Sequence, residues 1–235
     1  SAVNCSTTSA QSGASPSAIA TSLASDIDGK TDFTATSSGA TIIITHTATD
    51  SNGDPIPFSI ATEGGDQVES LFGFTTEINN INNLPVQCEH NYVVKVNNSQ
   101  TTTLDDMFVK FTLSSGTSGL GVGSWNETIG PEELLRFDPL TMPHQIVNNA
   151  DGSFTYGPID WVDRLVGDTE TNPLPSFVGH SISNAFFYRN RLGFTSDQNV
   201  ILSSAGDVFN FFVDSARVAS DADPIDISAE GKQPA

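Results

Sequence analysis

Basic residues are scarce in this chain: Lys and Arg total 9 against 28 Asp and Glu, leaving a formal charge of −19. Such a surface repels phosphate and lacks the basic stripe that tight nucleic-acid binding needs. The same net charge favours solubility. Cysteine is nearly missing too. Cys5 and Cys88 stand far apart in sequence, which excludes a disulfide scaffold and a structural zinc site. Both read as incidental. Long apolar runs are lacking. The longest, such as Ala40–Ile44 and Asn184–Tyr188, have the length of a strand, so no membrane span is expected. Long helical patterns are absent, and nothing resembles a signal peptide.

What is present points to β-structure. Of the 235 residues, 37% are hydrophobic, enough for one large core or two modest ones. Nineteen Gly and 12 Pro, with many Ser, Thr and Asn, mark turns between short strands. The fold class read from this is mainly β. Residues 1–14 look like a linker or the approach to a strand. Ser15-Pro16 is a helix start, a capping Ser with Pro at the first helical position. Ala18, Ile19, Ala20, Leu23, Ala24 and Ile27 give the helix an apolar stripe, and Gly29 ends it. Asp32–Thr36 and Ala40–Thr47 read as two strands around a turn, with Ile56–Ile60 and Gln67–Phe74 as further strands. Residues 15–82 are therefore expected to form a small α+β module, and 83–235 a β-rich body.

In that body, Asn91–Val96 and Met107–Leu113 alternate as half-buried strands, placing Lys95 and Lys110 among apolar neighbours. Ser114–Gly123 reads as a Gly/Ser loop and Trp125–Ile129 as the next strand. Gln145–Asn148 and Ser153–Tyr156 flank Asp151-Gly152, a hairpin signal. Residues 157–175 are irregular. Strands are then expected at Ser181–Tyr188, Arg191–Thr195, Asn199–Ser203, Val208–Phe212 and Ile225–Ser228, a spacing suited to a propeller blade or a barrel meander. The chain opens on Ser and trails off after Glu230, as a fragment of a longer chain would; a tag-cleaved whole protein is the competing reading.

Catalytic and metal motifs are not found. There is no His-Glu-x-x-His and no Gly-x-Ser-x-Gly. His46, His90, His144 and His180 lack metal-ligand spacing and are expected to face solvent or bond locally. Gly231-Lys232 lacks the first Gly of a phosphate loop. Gly119–Gly123 lacks the last Gly of a dinucleotide fingerprint and reads as a flexible loop. Asp50-Ser51-Asn52-Gly53-Asp54 begins like a calcium loop, but Pro55 and Ala61 occupy its sixth and twelfth positions; a turn held by Asx side chains explains it better. Asp221, Asp223 and Asp226 present a cation site or an acid/base pair on one reading, and acidic residues flanking a strand on the simpler one. Asn97-Asn98-Ser99 and Asn126-Glu127-Thr128 match glycosylation triplets that arise often by chance. No cofactor and no catalytic residue are assigned. Arg164, Arg189 and Arg191 are expected to pair with carboxylates where surfaces pack.

An ordered series of segments carries a resemblance. It runs through Trp125-Asn126-Glu127-Thr128, Thr141-Met142-Pro143-His144, Trp161, Arg164, Val166-Gly167-Asp168 and Asn172–Gly179. It continues with Phe186-Phe187-Tyr188-Arg189-Asn190-Arg191-Leu192-Gly193-Phe194, Asn199–Ser203, Ala205–Phe212 and Asp223-Pro224-Ile225-Asp226. Over about residues 120–228 the chain resembles the tail nozzle, or tail tubular B, proteins of short-tailed bacteriophages (podoviruses). The module at 15–82 matches the family more loosely.

The resemblance implies a β-rich fold with a propeller-like body, incomplete in this chain, and an inserted α+β module. It implies a structural virion protein of the phage tail and no enzyme. Copies would form a ring, typically a hexamer, below the adaptor under the portal. The ring would continue the channel through which double-stranded DNA leaves without specific binding. Tail fibres or spikes would attach near the adaptor–nozzle junction. Trp125, Trp161, Arg164, Phe177, Phe187, Arg189, Arg191, Phe194, Phe209 and Phe211 are the expected packing or interface residues. Part of the acidic excess is expected to line the channel. Two alternatives stay open: a host-facing component that binds or degrades polysaccharide, and an extracellular β-sandwich domain.

Overall fold

The structure is a computed structural model and describes residues 15–61, 72–97 and 106–228. It divides into two compact units, Ser1–Asn98 with Val109–Asn126, and Ser99–Phe108 with Glu127–Ala235.

The first unit opens on α1 (Pro16–Asp28). Ser15 caps it, its Oγ accepting from the Ala18 N–H at 3.2 Å. Ala20, Ala24 and Ile27 recur at helical spacing and are buried where α1 lies on β1 (Phe33–Ser38) and β2 (Thr41–His46). Small alanines on that face let the helix approach the ribbon closely. Gly39 turns the hairpin at φ +56. The expected strand at Ile56–Ile60 does not form. Pro55 and Pro57 have no N–H to give a ladder. The chain bridges Thr49 to Pro55 and then packs Phe58 edge-on against Phe33 at 5.7 Å. Of the expected strand at Gln67–Phe74, residues 67–71 lie outside the described residues, and 72–74 are not strand.

A five-stranded sheet completes this part of the chain. Its order is β3 (Glu77–Ile78), β5 (Val93–Val96), β6 (Met107–Leu113), β7 (Leu120–Thr128) and β4 (Gln87–Glu89). Strands on both sides of residue 82 share it. The alternation of β6 buries Met107, Val109 and Phe111, while Lys110 is half-buried between them, as is Lys95 beside Val94 and Val96. The expected loop at Ser114–Gly123 is shorter than predicted, because β7 already begins at Leu120. Its glycines are there for proximity: a Cβ on Gly123 would collide with the Thr112 carbonyl, and one on Gly121 would lie 2.9 Å from Leu113 Cδ2.

The second unit holds two antiparallel sheets. One is the hairpin of β8 (His144–Asn148) and β9 (Phe154–Pro158), with Gly152 at φ +83. The other is a meander in strict chain order: β10 (Ile182–Tyr188), β11 (Arg191–Ser196), β12 (Asn199–Leu202) and β13 (Ile225–Ser228). The expected strand at Val208–Phe212 is a series of turns instead. Asn210 Oδ1 accepts from the Phe212 N–H at 2.9 Å, and the Asn210 carbonyl accepts from Ser204 N–H at 2.8 Å. Those turns aim Phe211 and Phe212 into the core.

Candidate functional site

The core of the second unit is aromatic. Trp161 comes from the segment after β9 and Phe177 from a proline-bounded turn. Phe194 comes from β11, and Phe211 and Phe212 from the turns before β13. Phe137 also joins. Phe194 stacks on Phe211 at 5.3 Å, Phe177 stands edge-on to Phe194 at 5.6 Å, and Phe137 stacks on Phe212 at 5.0 Å. These offset and edge-to-face contacts are the favoured geometries, worth about 0.5–1.5 kcal/mol each beyond area burial. Phe209, half-buried, stands edge-on to Trp161 at 5.6 Å. Gly193 on β11 leaves room for the ring of Phe186, which lies where a Cβ would be.

Two arginines are buried in this unit by different means. Arg164 is 0% exposed, and its Nη1 donates to Glu133 Oε2 at 2.9 Å. Its Nε and Nη2 have no partner within the described residues. Among the described residues, Arg191 binds no carboxylate. Its guanidinium donates to three backbone carbonyls, Ser203 (2.7 Å), Asp223 (2.6 Å) and Asp221 (2.7 Å), and so ties residues 221–223 to β11. A planar fork of five donors suits a cluster of carbonyls as well as a carboxylate. Arg189 turns outward at φ +48 and lies 5.4 Å from the ring centre of Tyr188. Trp125, in the first unit, meets Phe111 at 5.1 Å and donates Nε1–H to the Pro85 carbonyl at 2.8 Å. Phe187 is 69% exposed.

The candidate acidic sites resolve into local bonding. Asp50 Oδ1 accepts from the N–H groups of Asn52 (2.8 Å) and Asp54 (3.0 Å). Those bonds, Asp54 first, hold its carboxyl below the usual aspartate range. The segment is an Asx-stabilised turn. Asp151 does the same in the β8–β9 turn, held low chiefly by the Ser153 hydroxyl. Asp223 Oδ2 accepts from Ser220 N–H, and Asp226 Oδ2 from Ser176 N–H, both at 2.7 Å. Among the described residues, no group of three His, Cys, Asp or Glu could hold a metal ion. His46, His90 and His144 bond to backbone groups, and His180 contacts Asp197 at 2.7 Å. Burial pushes the Cys88 thiol up. No helix among the described residues is long and apolar enough to cross a membrane.

Sequence reasoning missed three features. Glu133 is the partner of Arg164. Asn172, 2% exposed, bridges two segments: its Nδ2 donates to the Val166 carbonyl at 2.9 Å and its Oδ1 accepts from Val213 N–H at 3.2 Å. The third is the open face of the β8–β9 ribbon. Register puts His144, Ile146, Phe154 and Tyr156 on one side of it. Ile146 is 69% exposed, Phe154 69% and Tyr156 71%. The i, i+2 pair Phe154/Tyr156 opposite Ile146 was the available signal.

The described part of the chain is mainly β, with an aromatic core in its second unit. The family model of bacteriophage nozzle proteins matches residues 2–235, and the chain belongs to that family. It is therefore a component of a phage virion's tail. It is also similar to the tail tubular protein gp12 of Escherichia phage T7, at 36% identity over 172 residues. That match takes in 72% of this chain but 20% of the T7 protein, so the chain spans about a fifth of the length of its relative.

Proposed function

We propose that the chain is part of a nozzle subunit that assembles into a ring, six copies on the family's pattern, and continues the DNA ejection channel below the adaptor. Its role is to be a wall: it performs no catalysis and carries no cofactor. The observation that carries this is the family match along residues 2–235. The fold supports it. The meander β10–β13 has four antiparallel strands in chain order, the composition of one propeller blade. Rigid β-walls with interlocked aromatics suit a conduit.

The charge supports it as well. With 28 acids against 9 bases, acidic side chains facing the lumen repel the phosphate backbone and let DNA pass without being gripped. The adaptor above and tail fibres or spikes at their junction are the partners this role requires. Electron microscopy of the intact protein tests the reading. Closed hollow rings support it. A compact monomer, or release of sugar from host capsule or lipopolysaccharide by the purified protein, overturns it.

A further inference from the structure

Asn52 is the only Asn in the sequence followed directly by Gly. Gly has no side chain to shield its backbone nitrogen, so an Asn-Gly pair is the one most open to attack of that nitrogen on the Asn side-chain amide. The fold leaves this pair accessible. Asn52 and Gly53 are both exposed, in the turn that follows β2. Gly53 stands at φ +88, and a Cβ there would meet nothing within 4 Å.

Asp50 restrains the pair from both of its acceptor groups. Its Oδ1 accepts from the N–H groups of Asn52 at 2.8 Å and Asp54 at 3.0 Å, which fixes the backbone on either side of Gly53. Its main-chain carbonyl accepts from the Gly53 N–H at 3.1 Å, and its own N–H closes the turn on the Asp54 carbonyl at 2.8 Å. The Gly53 nitrogen must give up its bond to Asp50 before it can lose its proton and turn toward the Asn52 side chain. Reaction therefore waits on opening of this turn.

We propose that Asn52 is a site of spontaneous deamidation whose rate is set by the Asp50 turn. The Gly53 nitrogen forms a bond to Asn52 Cγ, the Cγ–Nδ2 bond breaks, and ammonia leaves with the proton that the nitrogen gave up. The product is a cyclic imide. Water opens it at either carbonyl, giving an aspartate at position 52 or an isoaspartate whose main chain runs through Cβ. Water is consumed and ammonia released in equal amounts, and nothing is oxidised. Either product sets a new carboxylate between Asp50 and Asp54, against two like charges. The isoaspartate also lengthens the main chain inside the turn, so the closure from Asp50 N–H to the Asp54 carbonyl no longer fits.

Peptide mapping by mass spectrometry tests this on the intact protein held at mildly alkaline pH. Position 52 is expected to gain the mass of an NH exchanged for O, divided between aspartate and isoaspartate. Asn149, followed by Ala150 in the β8–β9 turn, serves as the internal control and is expected to keep its amide over the same period. Asp50→Ala is expected to speed the reaction at position 52 about tenfold, the scale of losing the two bonds to Oδ1, and to leave Asn149 unaffected. Guanidinium-denatured parent protein, in which the turn is gone, gives the same comparison without a variant and is also expected to react faster than the folded protein. A position 52 that keeps its amide in the folded protein as long as Asn149 does overturns the inference. So does a rate at position 52 that is the same in folded parent, Asp50→Ala and denatured chain, because the turn would then control nothing.

Discussion

The second unit contains two sets of aromatic residues with opposite fates. Behind β11 and β12, Trp161, Phe177, Phe194, Phe211 and Phe212 exclude water and interlock. On the β8–β9 ribbon, Phe154 and Tyr156 stand in solvent. The side-chain types are much the same, but strand alternation places the ribbon's pair, whereas among the core rings only Phe194 is set by a strand. The difference is the number of layers available. The meander has proline-bounded turns and Asn210-locked turns to fold over one face, whereas among the described residues no element covers the Phe154/Tyr156 side of the hairpin. Aromatic content therefore does not distinguish a buried face from an exposed one, but the count of elements that can cover it does.

That contrast can be broken by mutation, and the largest effect belongs to the core. Phe177→Ala is expected to destabilise the chain by about 3–5 kcal/mol, through lost transfer energy and a cavity that turns cannot close. Tyr156→Ser should stay within about 0.5 kcal/mol in the single copy, as exposed substitutions do. Chemical denaturation of the two variants measures both, and equal losses would erase the distinction.

Next comes Arg164. Removing one partner of a buried pair costs about 3–5 kcal/mol because a charge is left without its mate, while replacing both with apolar residues costs far less. Glu133 keeps some solvent contact, at 19% exposure, so Arg164→Met is expected at the low end of that range. Arg164→Met combined with Glu133→Leu should recover most of the loss. A double-mutant cycle without coupling would show that the pair does not work as a unit.

Gly193→Ala is smaller. The new Cβ falls on the Phe186 ring, which must rotate away at a cost of about 1–3 kcal/mol. Smallest is the pH response of the two Asx turns. Asp50 and Asp151 both have folded values below the ordinary one. Their contribution is thus present above the unfolded aspartate value of about 3.9 and is lost as pH falls through the lowered folded values. Carboxyl titration by NMR should show both groups protonating below the unfolded aspartate value of about 3.9. An ordinary value for either would contradict its turn geometry.

Much of the fold was legible in sequence because its signals are local. Ser15-Pro16 announced α1, the alternation from Met107 to Leu113 announced β6, and Asp151-Gly152 announced the hairpin. Four strands of the final meander lie within a residue or so of their expected bounds. The misreadings came from residues whose meaning depends on a neighbour distant in sequence or on backbone donors. Gly121 and Gly123 looked like a loop because nothing local shows that β6 passes so near. Phe209 and Phe211 alternate well enough for a strand until the Asn210 Oδ1 accepts the Phe212 N–H.

Of the candidate site, the aromatic and Arg positions could be named but not placed. Sequence treats Phe187 and Phe177 alike, yet one is open and the other buried. Arg191 was expected to pair with carboxylates; it meets the backbone carbonyls of Ser203, Asp221 and Asp223, which no side-chain pattern records.

The most direct test sets the two groups of aromatics against each other. The intact protein carrying Phe154→Ser and Tyr156→Ser is followed by thermal melting beside Phe177→Ala. If buried aromatics serve folding and exposed ones do not, the double variant keeps an unchanged melt. A melt lowered as far as that of Phe177→Ala would contradict it.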